Sequence, residues 1–249
     1  MLITKDALAE HRTAGNWRRL EALAQQITAT ARRFGGTSFE PVLGGGTRLM
    51  LALNHRQSDD IDLFVNSPGW LPYVSPRLND DFEDRISGYD EDGDHVKIRL
   101  PEGEIDFIVR GTLLAPWVHQ DDLWNPPADE TSFLLEPPAE IMAKKLFFRG
   151  WALTARDLFD WISLETRGPK DVLPAPIFAA LLRPKLDEID NAIVTMRQHK
   201  TQQAAWEMIR TPFPMLPLDE AADWARGAIK RLQALASSEL LPPTFPGPI

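Results

Sequence analysis

The chain has no cysteine in its 249 residues, which excludes a disulfide framework, a thiolate nucleophile and a cysteine zinc site. Missing cysteines fit either redox compartment, and the cytoplasm is the default expectation. No apolar run approaches the ~18 residues of a membrane-crossing helix, so no membrane partner is expected. The opening Met-Leu-Ile-Thr-Lys-Asp-Ala lacks the basic region and long apolar stretch of a secretory signal. Positive charge is scarce too, since 27 basic residues against 36 acidic ones leave a net charge of −9. A chain this acidic repels phosphate backbones at long range and is no general nucleic-acid coat, although a local basic face in the second half is compatible with that balance. Internal repeats are absent, and low complexity is confined to a proline-rich end. What is present is ordinary for a packed globular protein, with 43% hydrophobic and 25% charged residues in a length that suits one large domain or two small ones.

Periodicity orders the chain. Trp17, Leu20, Leu23, Ala24, Ile27 and Ala31 recur at helical spacing and predict a helix over 16–33, stopped by Gly35-Gly36. Residues 39–43 form a short candidate strand cut by Gly44-Gly45-Gly46, with Thr47 as N-cap or first-turn residue of a helix over 48–53. Strands are expected over 61–65, 96–100 and 104–109, the last two joined by the turn Pro101-Glu102-Gly103. After Pro137-Pro138 the texture turns helical, first to about Gly150 and then with Ala155, Leu158, Phe159 and Ile162 on one face. Further helical pieces are expected over 177–182, 185–197, 202–209 and 218–235, and the ending from Leu240 to Ile249 is too rich in proline for regular structure. The expectation is an α+β protein, with a mixed β-sheet and helices over 1–136 followed by a helical domain over 137–249.

The most informative stretch is LGGGTRLMLALNHRQSDDIDLFV, from Leu43 to Val65. Three glycines between a strand and a helix let the backbone approach a ligand closely, and the N–H groups of the helix start suit an anion such as phosphate. A triple glycine is also a common tight turn. It is not a Walker A loop, since no Gly-Lys-Ser/Thr follows, and it lacks the third glycine of a dinucleotide fingerprint. Downstream, Asp60 and Asp62 are two apart in a strand-forming run, so they project from one face with their bases roughly 6–7 Å apart. Two carboxylates so placed repel each other, and a hard divalent ion such as Mg²⁺ relieves that cost while gathering substrate phosphates. Asp106, in Glu104-Ile-Asp-Phe-Ile-Val, joins them if its strand pairs beside 61–65; otherwise it is a solvated edge residue. Three carboxylates beside a phosphate-binding loop equip a site for two-metal phosphoryl or nucleotidyl transfer.

Gly-Gly-Gly-Thr followed by His55-Arg56-Gln57-Ser58-Asp59-Asp60-Ile61-Asp62-Leu63-Phe64 resembles the signature of AbiEii-type nucleotidyltransferases, toxin components of abortive-infection (type IV) toxin–antitoxin systems that share the DNA polymerase beta core. Two later blocks extend the resemblance: Glu140-Ile-Met-Ala-Lys-Lys-Leu looks like the family's lysine helix, with Lys145 the better match, and Arg156-Asp157-Leu158-Phe159-Asp160 looks like its Arg-Asp-x-x-Asp helix. Gly46 departs from the pattern, since many superfamily members carry serine or another residue there, so the loop leans on backbone and Thr47. The resemblance implies a nucleotidyltransferase fold, and the site is expected in the cleft between that α/β core and the helical domain. It implies Mg²⁺ held by Asp60, Asp62 and Asp106, and an NTP held by Gly44, Gly45, Gly46, Thr47 and Lys145. The implied acceptor is an RNA (a tRNA 3′ end) or a protein hydroxyl, and a cognate antitoxin is the implied partner.

Read from the residues alone, Lys145 and Arg149 share a helix face that would neutralise a triphosphate or simply stay solvated. Arg156 and Asp160 are spaced as an i, i+4 ion pair, while the resemblance instead sets Asp160 to orient Lys145 or the substrate. Arg56 and Ser58 either bind phosphate or buttress the loop before Asp60, and His55 shapes that loop. Asp90-Glu91-Asp92-Gly93-Asp94 has the look of a calcium loop but lacks its downstream ligands, and a hairpin turn explains it better. His11, His55, His95, His119 and His199 show no metal spacing, and the scattered tryptophans suit core packing. The competing classes are a metal-dependent phosphodiesterase, a catalytically silent nucleotide- or partner-binding module, and a structural protein with a solvated acidic cluster.

Overall fold

The computed structural model describes residues 1–78, 80–114 and 131–237. The proline-rich ending and His119 lie outside them. By contact density the chain forms two compact units, one of Lys5–Gly111 with Asp121–Glu136, the other of Met1–Thr4, Thr112–Gln120 and Pro137–Ile249.

The first unit is built on a mixed sheet. Its helices are α1 (Lys5–Ala14), α2 (Asn16–Gly35), α3 (Gly45–Leu53) and the single turn α4 (Leu71–Val74). Its strands are β1 (Val42–Leu43), β2 (Ile61–Val65), β3 (Gly88–Glu91), β4 (His95–Leu100), β5 (Gly103–Val109) and β6 (Leu134–Leu135). The sheet order is β3-β4-β5-β2-β1-β6, with β2/β5 and β1/β6 parallel and the other pairs antiparallel. Helix α2 buries the six residues its spacing singled out, Trp17, Leu20, Leu23, Ala24, Ile27 and Ala31, and packs on β2 and β5. Its end is Gly36, whose φ of +116° few other residues adopt. Period-2 alternation assigns the sheet's faces: Ile61, Leu63, Val96, Ile98, Ile105 and Phe107 are buried on one, and Asp62, Lys97 and Asp106 fall on the other.

The first strand differs from expectation. The strand over 39–43 shrinks to Val42–Leu43, because Pro41 has no N–H for a ladder and Phe39 packs its ring 4.9 Å from that of Trp70. The acidic run at 90–94 is a hairpin turn, as expected, with Asp92 N–H donating to the His95 carbonyl at 3.0 Å between β3 and β4.

The second unit is helical: α5 (Pro138–Arg149), α6 (Ala155–Arg167), α7 (Ala175–Leu182), α8 (Leu186–Met196), α9 (Lys200–Glu207) and α10 (Leu218–Ala236). Proline stands at the N-cap of α5, α7 and α10 (Pro137, Pro174 and Pro217) and punctuates the bundle. Its core holds Leu158, Trp161, Leu164, Phe178, Ile189, Trp206 and Ile229, with Trp161 edge-on to Trp224 at 5.7 Å. Among the described tryptophans Trp17, Trp161 and Trp206 are buried, whereas Trp151 is 66% exposed. The N-terminal ammonium donates to the carbonyls of Glu207 and Ile209 at 2.8 and 2.6 Å. Among the described residues no helix is long and apolar enough to cross a membrane.

Candidate active site

The glycine turn leads straight from β1 into α3. Gly44 is the N-cap, with its N–H donating to the Asp62 carbonyl at 2.9 Å. Gly45 opens the helix at φ +60°, a conformation that side chains with a Cβ disfavour. A Cβ on Gly45 would lie 1.7 Å from Asp62 Oδ2, and one on Gly46 would lie 2.8 Å from both an Arg56 guanidinium nitrogen and Ser58 Oγ. The turn thus brings together four predicted features: a helix N-terminus with N–H groups that have no intrahelical acceptor, the Asp62 carboxylate, Arg56 and Ser58. Thr47 lies in the first turn of the helix, one of its two predicted places. It is buried, and its hydroxyl donates to the Asp60 carbonyl at 2.5 Å, tying the helix to the residue before β2.

Asp62 and Asp106 are register partners on the parallel strands β2 and β5. Neighbouring strands lie about 4.8 Å apart, so these two carboxylates leave the sheet side by side. Lys97 is the register partner of Asp106 on its other side, and the three form one row across β4, β5 and β2. Lys97 Nζ lies 3.1 Å from Asp106 Oδ2 and 3.1 Å from Glu104 Oε2. Asp106 Oδ1 is buried and has no hydrogen-bond partner among the described residues. Burial raises the Asp106 pKa above the usual carboxylate value, and the Lys97 charge offsets this only in part. For Lys97, burial alone would lower the pKa, but the charges of Asp106 and Glu104 prevail and raise it.

Asp60 stands one residue before β2 rather than within it, and its Oδ1 accepts the Glu104 N–H at 3.2 Å across the strand ends. The loop preceding it is braced from α1, where His11 Nε2 donates to the Ser58 carbonyl at 3.0 Å and lies 3.4 Å from Asp59. His55 is fully buried in the same loop. Beneath the turn, the buried Arg48 donates to the Glu136 carbonyl at 2.9 Å, and burial lowers its pKa to about 10, which leaves it charged at neutral pH.

The group of three potential ligands whose atoms lie within 4.8 Å of one another, among the described residues, is Asp92, Asp94 and His95 on the β3–β4 turn, rather than Asp60, Asp62 and Asp106. The turn group is satisfied by its own contacts: Asp92 Oδ1 accepts the Asp94 and His95 N–H groups, and Asp94 pairs with Arg110. The orphaned Asp106 oxygen, the paired Asp62 and the acidic, all-oxygen donor set fit a hard divalent ion at the sheet row.

In the helical unit, Lys145 Nζ donates to Asp160 Oδ2 at 2.5 Å and lies 2.9 Å from Asp157. Both carboxylates are buried, as is the lysine. Arg149 shares its helix face and also reaches Asp157, at 2.5 Å, with half its side chain exposed. Asp157 additionally closes a capping box with Thr154 at the start of α6. Burial pushes its pKa up, but Lys145 and Arg149 outweigh that and hold it below the ordinary value. The i, i+4 spacing of Arg156 and Asp160 does not become an ion pair, because Arg156 is exposed while Asp160 turns inward to Lys145.

Spacing alone did not single out Lys97, Arg48 or Asp157. The available signal for Lys97 was alternation: in Val96-Lys97-Ile98-Arg99 the cations face away from the core, as Glu104 and Asp106 do one strand over.

The profile of the family described as "Nucleotidyl transferase AbiEii toxin, Type IV TA system" matches residues 27–228. Among solved structures the chain is similar to MenT4, a nucleotidyltransferase toxin of Mycobacterium tuberculosis H37Rv, at 16% identity over 96% of this chain and 91% of that one with a TM-score of 0.49. It is also similar to the STING-associated CdnE c-di-GMP synthase of Capnocytophaga granulosa, at 8% identity over 90% and 82% with a TM-score of 0.30. Comparison with curated proteins gives no match. The profile spans the glycine turn, the carboxylate strands and most of the helical unit, and on that ground the chain belongs to the AbiEii nucleotidyltransferase toxin family.

Proposed function

We propose that the protein moves a nucleoside monophosphate from an NTP to a hydroxyl of an RNA, such as a tRNA 3′ end, or of a protein, with Mg²⁺ as cofactor. The observation that carries this reading is the in-register pair Asp62 and Asp106, one of whose oxygens is buried without a partner, beside a helix N-terminus that only glycine can form. Asp60, Asp62 and Asp106 would hold two Mg²⁺ ions, which supply charge neutralisation for the triphosphate and the transferring phosphoryl group. The Gly45, Gly46 and Thr47 N–H groups take phosphate oxygens, the Gly44 N–H being spent on the Asp62 carbonyl, with Arg56 and Ser58 against the same turn. The family resemblance assigns Lys145 a phosphate-binding role; its ammonium is held by Asp160, and Arg149 stands one turn along.

In the reaction, the acceptor hydroxyl oxygen attacks the α-phosphorus. The new P–O bond forms as the α–β bridging bond breaks, and pyrophosphate leaves with that electron pair. The hydroxyl proton goes to an Asp106 carboxylate oxygen. The toxin class of the family supports a cognate antitoxin as partner, acting in the cytoplasm.

The test is incubation with each α-labelled NTP plus total cellular RNA and protein. Pyrophosphate release coupled to acceptor labelling is expected, and Asp60→Ala should reduce it by about a hundredfold or more with the fold intact. Hydrolysis without acceptor labelling would indicate a phosphodiesterase, and nucleotide binding without turnover a silent module.

A further inference from the structure

Lys97 is the one member of the cross-strand row to which nucleotidyl transfer assigns no part. Its ammonium reaches Asp106 and Glu104 at the same 3.1 Å, and its side chain is 30% exposed. Its contact is with Oδ2 of Asp106, while Oδ1 has no hydrogen-bond partner among the described residues. A divalent ion taken up by Asp62 and Asp106 would therefore share a carboxylate with a fixed positive charge, and two cations at such range repel strongly where water is partly excluded. Glu104 offers the way out. It is an equally near second seat, and a lysine stem is flexible enough to move between them, whereas a planar guanidinium fork is not. Arg99, 3.7 Å from the other oxygen of Glu104, shares that carboxylate with Lys97.

We propose that Lys97 is a built-in counter-cation that holds Asp106 until nucleotide and metal arrive together, so that the site takes up a divalent ion poorly without nucleotide. The inference rests on the nucleotidyl-transfer reading of Asp62 and Asp106. A purely structural Lys97 would pin β4 to β5, and its loss would lower stability without altering metal affinity.

The experiment is Mn²⁺ titration of the full chain, followed by the electron paramagnetic resonance of free Mn²⁺, with and without a non-hydrolysable NTP analogue. Without nucleotide, Lys97→Met should bind Mn²⁺ about tenfold more tightly than the native chain, while Lys97→Arg stays near native. With the analogue present, the difference between native and Lys97→Met should narrow. Melting temperatures are recorded for each variant, and if Lys97→Met does not fold, Lys97→Gln carries the same expectation. Equal nucleotide-free affinity in the native and Lys97→Met chains, with binding abolished by Asp62→Asn, overturns the role of Lys97 and leaves the transferase reading standing. Failure of every variant to bind Mn²⁺ even with nucleotide removes the metal site itself, and the inference with it.

Discussion

A methyl group at position 45 would have to occupy the volume of the Asp62 carboxylate, since a Cβ there sits 1.7 Å from Oδ2. The φ of +60° adds about 1 kcal/mol of strain for any residue but glycine. Gly45→Ala is therefore expected to displace Asp62, abolish label transfer and lower the melting temperature, which parallel activity and thermal-unfolding assays would check. Asp106 should behave in the opposite way toward stability. Its folded pKa is raised, so the folded state holds that proton more tightly than the unfolded chain. The stability this contributes is present below the unfolded value and is lost as pH rises through the folded one, which makes ionised Asp106 a cost at neutral pH. Asp106→Asn should accordingly keep or raise the melting temperature at pH 7 while eliminating transfer; a marked loss of stability would contradict this. At this scale the sequence announced the residue types well, because glycine and aspartate are conspicuous in a strand–turn–helix run. It was silent on direction. Thr47 spends its hydroxyl on the Asp60 carbonyl, and Lys97 meets Asp106 through the β4–β5 register.

Among the elements, α6 shows how one residue serves two structures. Asp157 completes the capping box with Thr154 and also receives Lys145 and Arg149. Thr154→Ala should cost about 1 kcal/mol, as removal of an N-cap does, measurable by chemical denaturation. The lowered pKa of Asp157 means that its stabilisation is complete above the unfolded value and lost as pH falls toward the folded one. Thermal stability should therefore decline with acid below the ordinary aspartate range of about 4, and Asp157→Asn should flatten that decline. Long helices such as α2 and α10 were legible because an apolar stripe repeats over several turns. Strand β6, two residues long, carries no period to read, and Pro41 trimmed β1. The spacing of Arg156 and Asp160 was correct for a pair but could not reveal that Asp160 faces the interior.

Across the whole molecule, neither compact unit is one uninterrupted piece of chain. The helical unit includes Met1–Thr4 as well as Thr112–Gln120, and the buried Glu140 carboxylate accepts the N–H groups of Leu113 and Leu114 at 2.6 and 2.8 Å. A fragment of residues 137–249 loses those donors and the carbonyl bonds of the Met1 ammonium. Taking donors from a buried carboxylate costs about 1–3 kcal/mol. The fragment should melt well below the full chain by circular dichroism, and an equally stable fragment would contradict that accounting. A division at 136/137, the point where the sequence changes texture, could not anticipate this interleaving, because texture reports local composition and the interleaving is made by contacts distant in sequence. The central claim is that the carboxylate row beside the glycine turn carries out nucleotidyl transfer. Its most direct test is transfer from an α-labelled NTP to acceptor by the native chain and by Asp62→Asn, compared at matched folded fraction. The account predicts Mg²⁺-dependent labelling by the native chain and none by the variant; undiminished labelling by Asp62→Asn would contradict it.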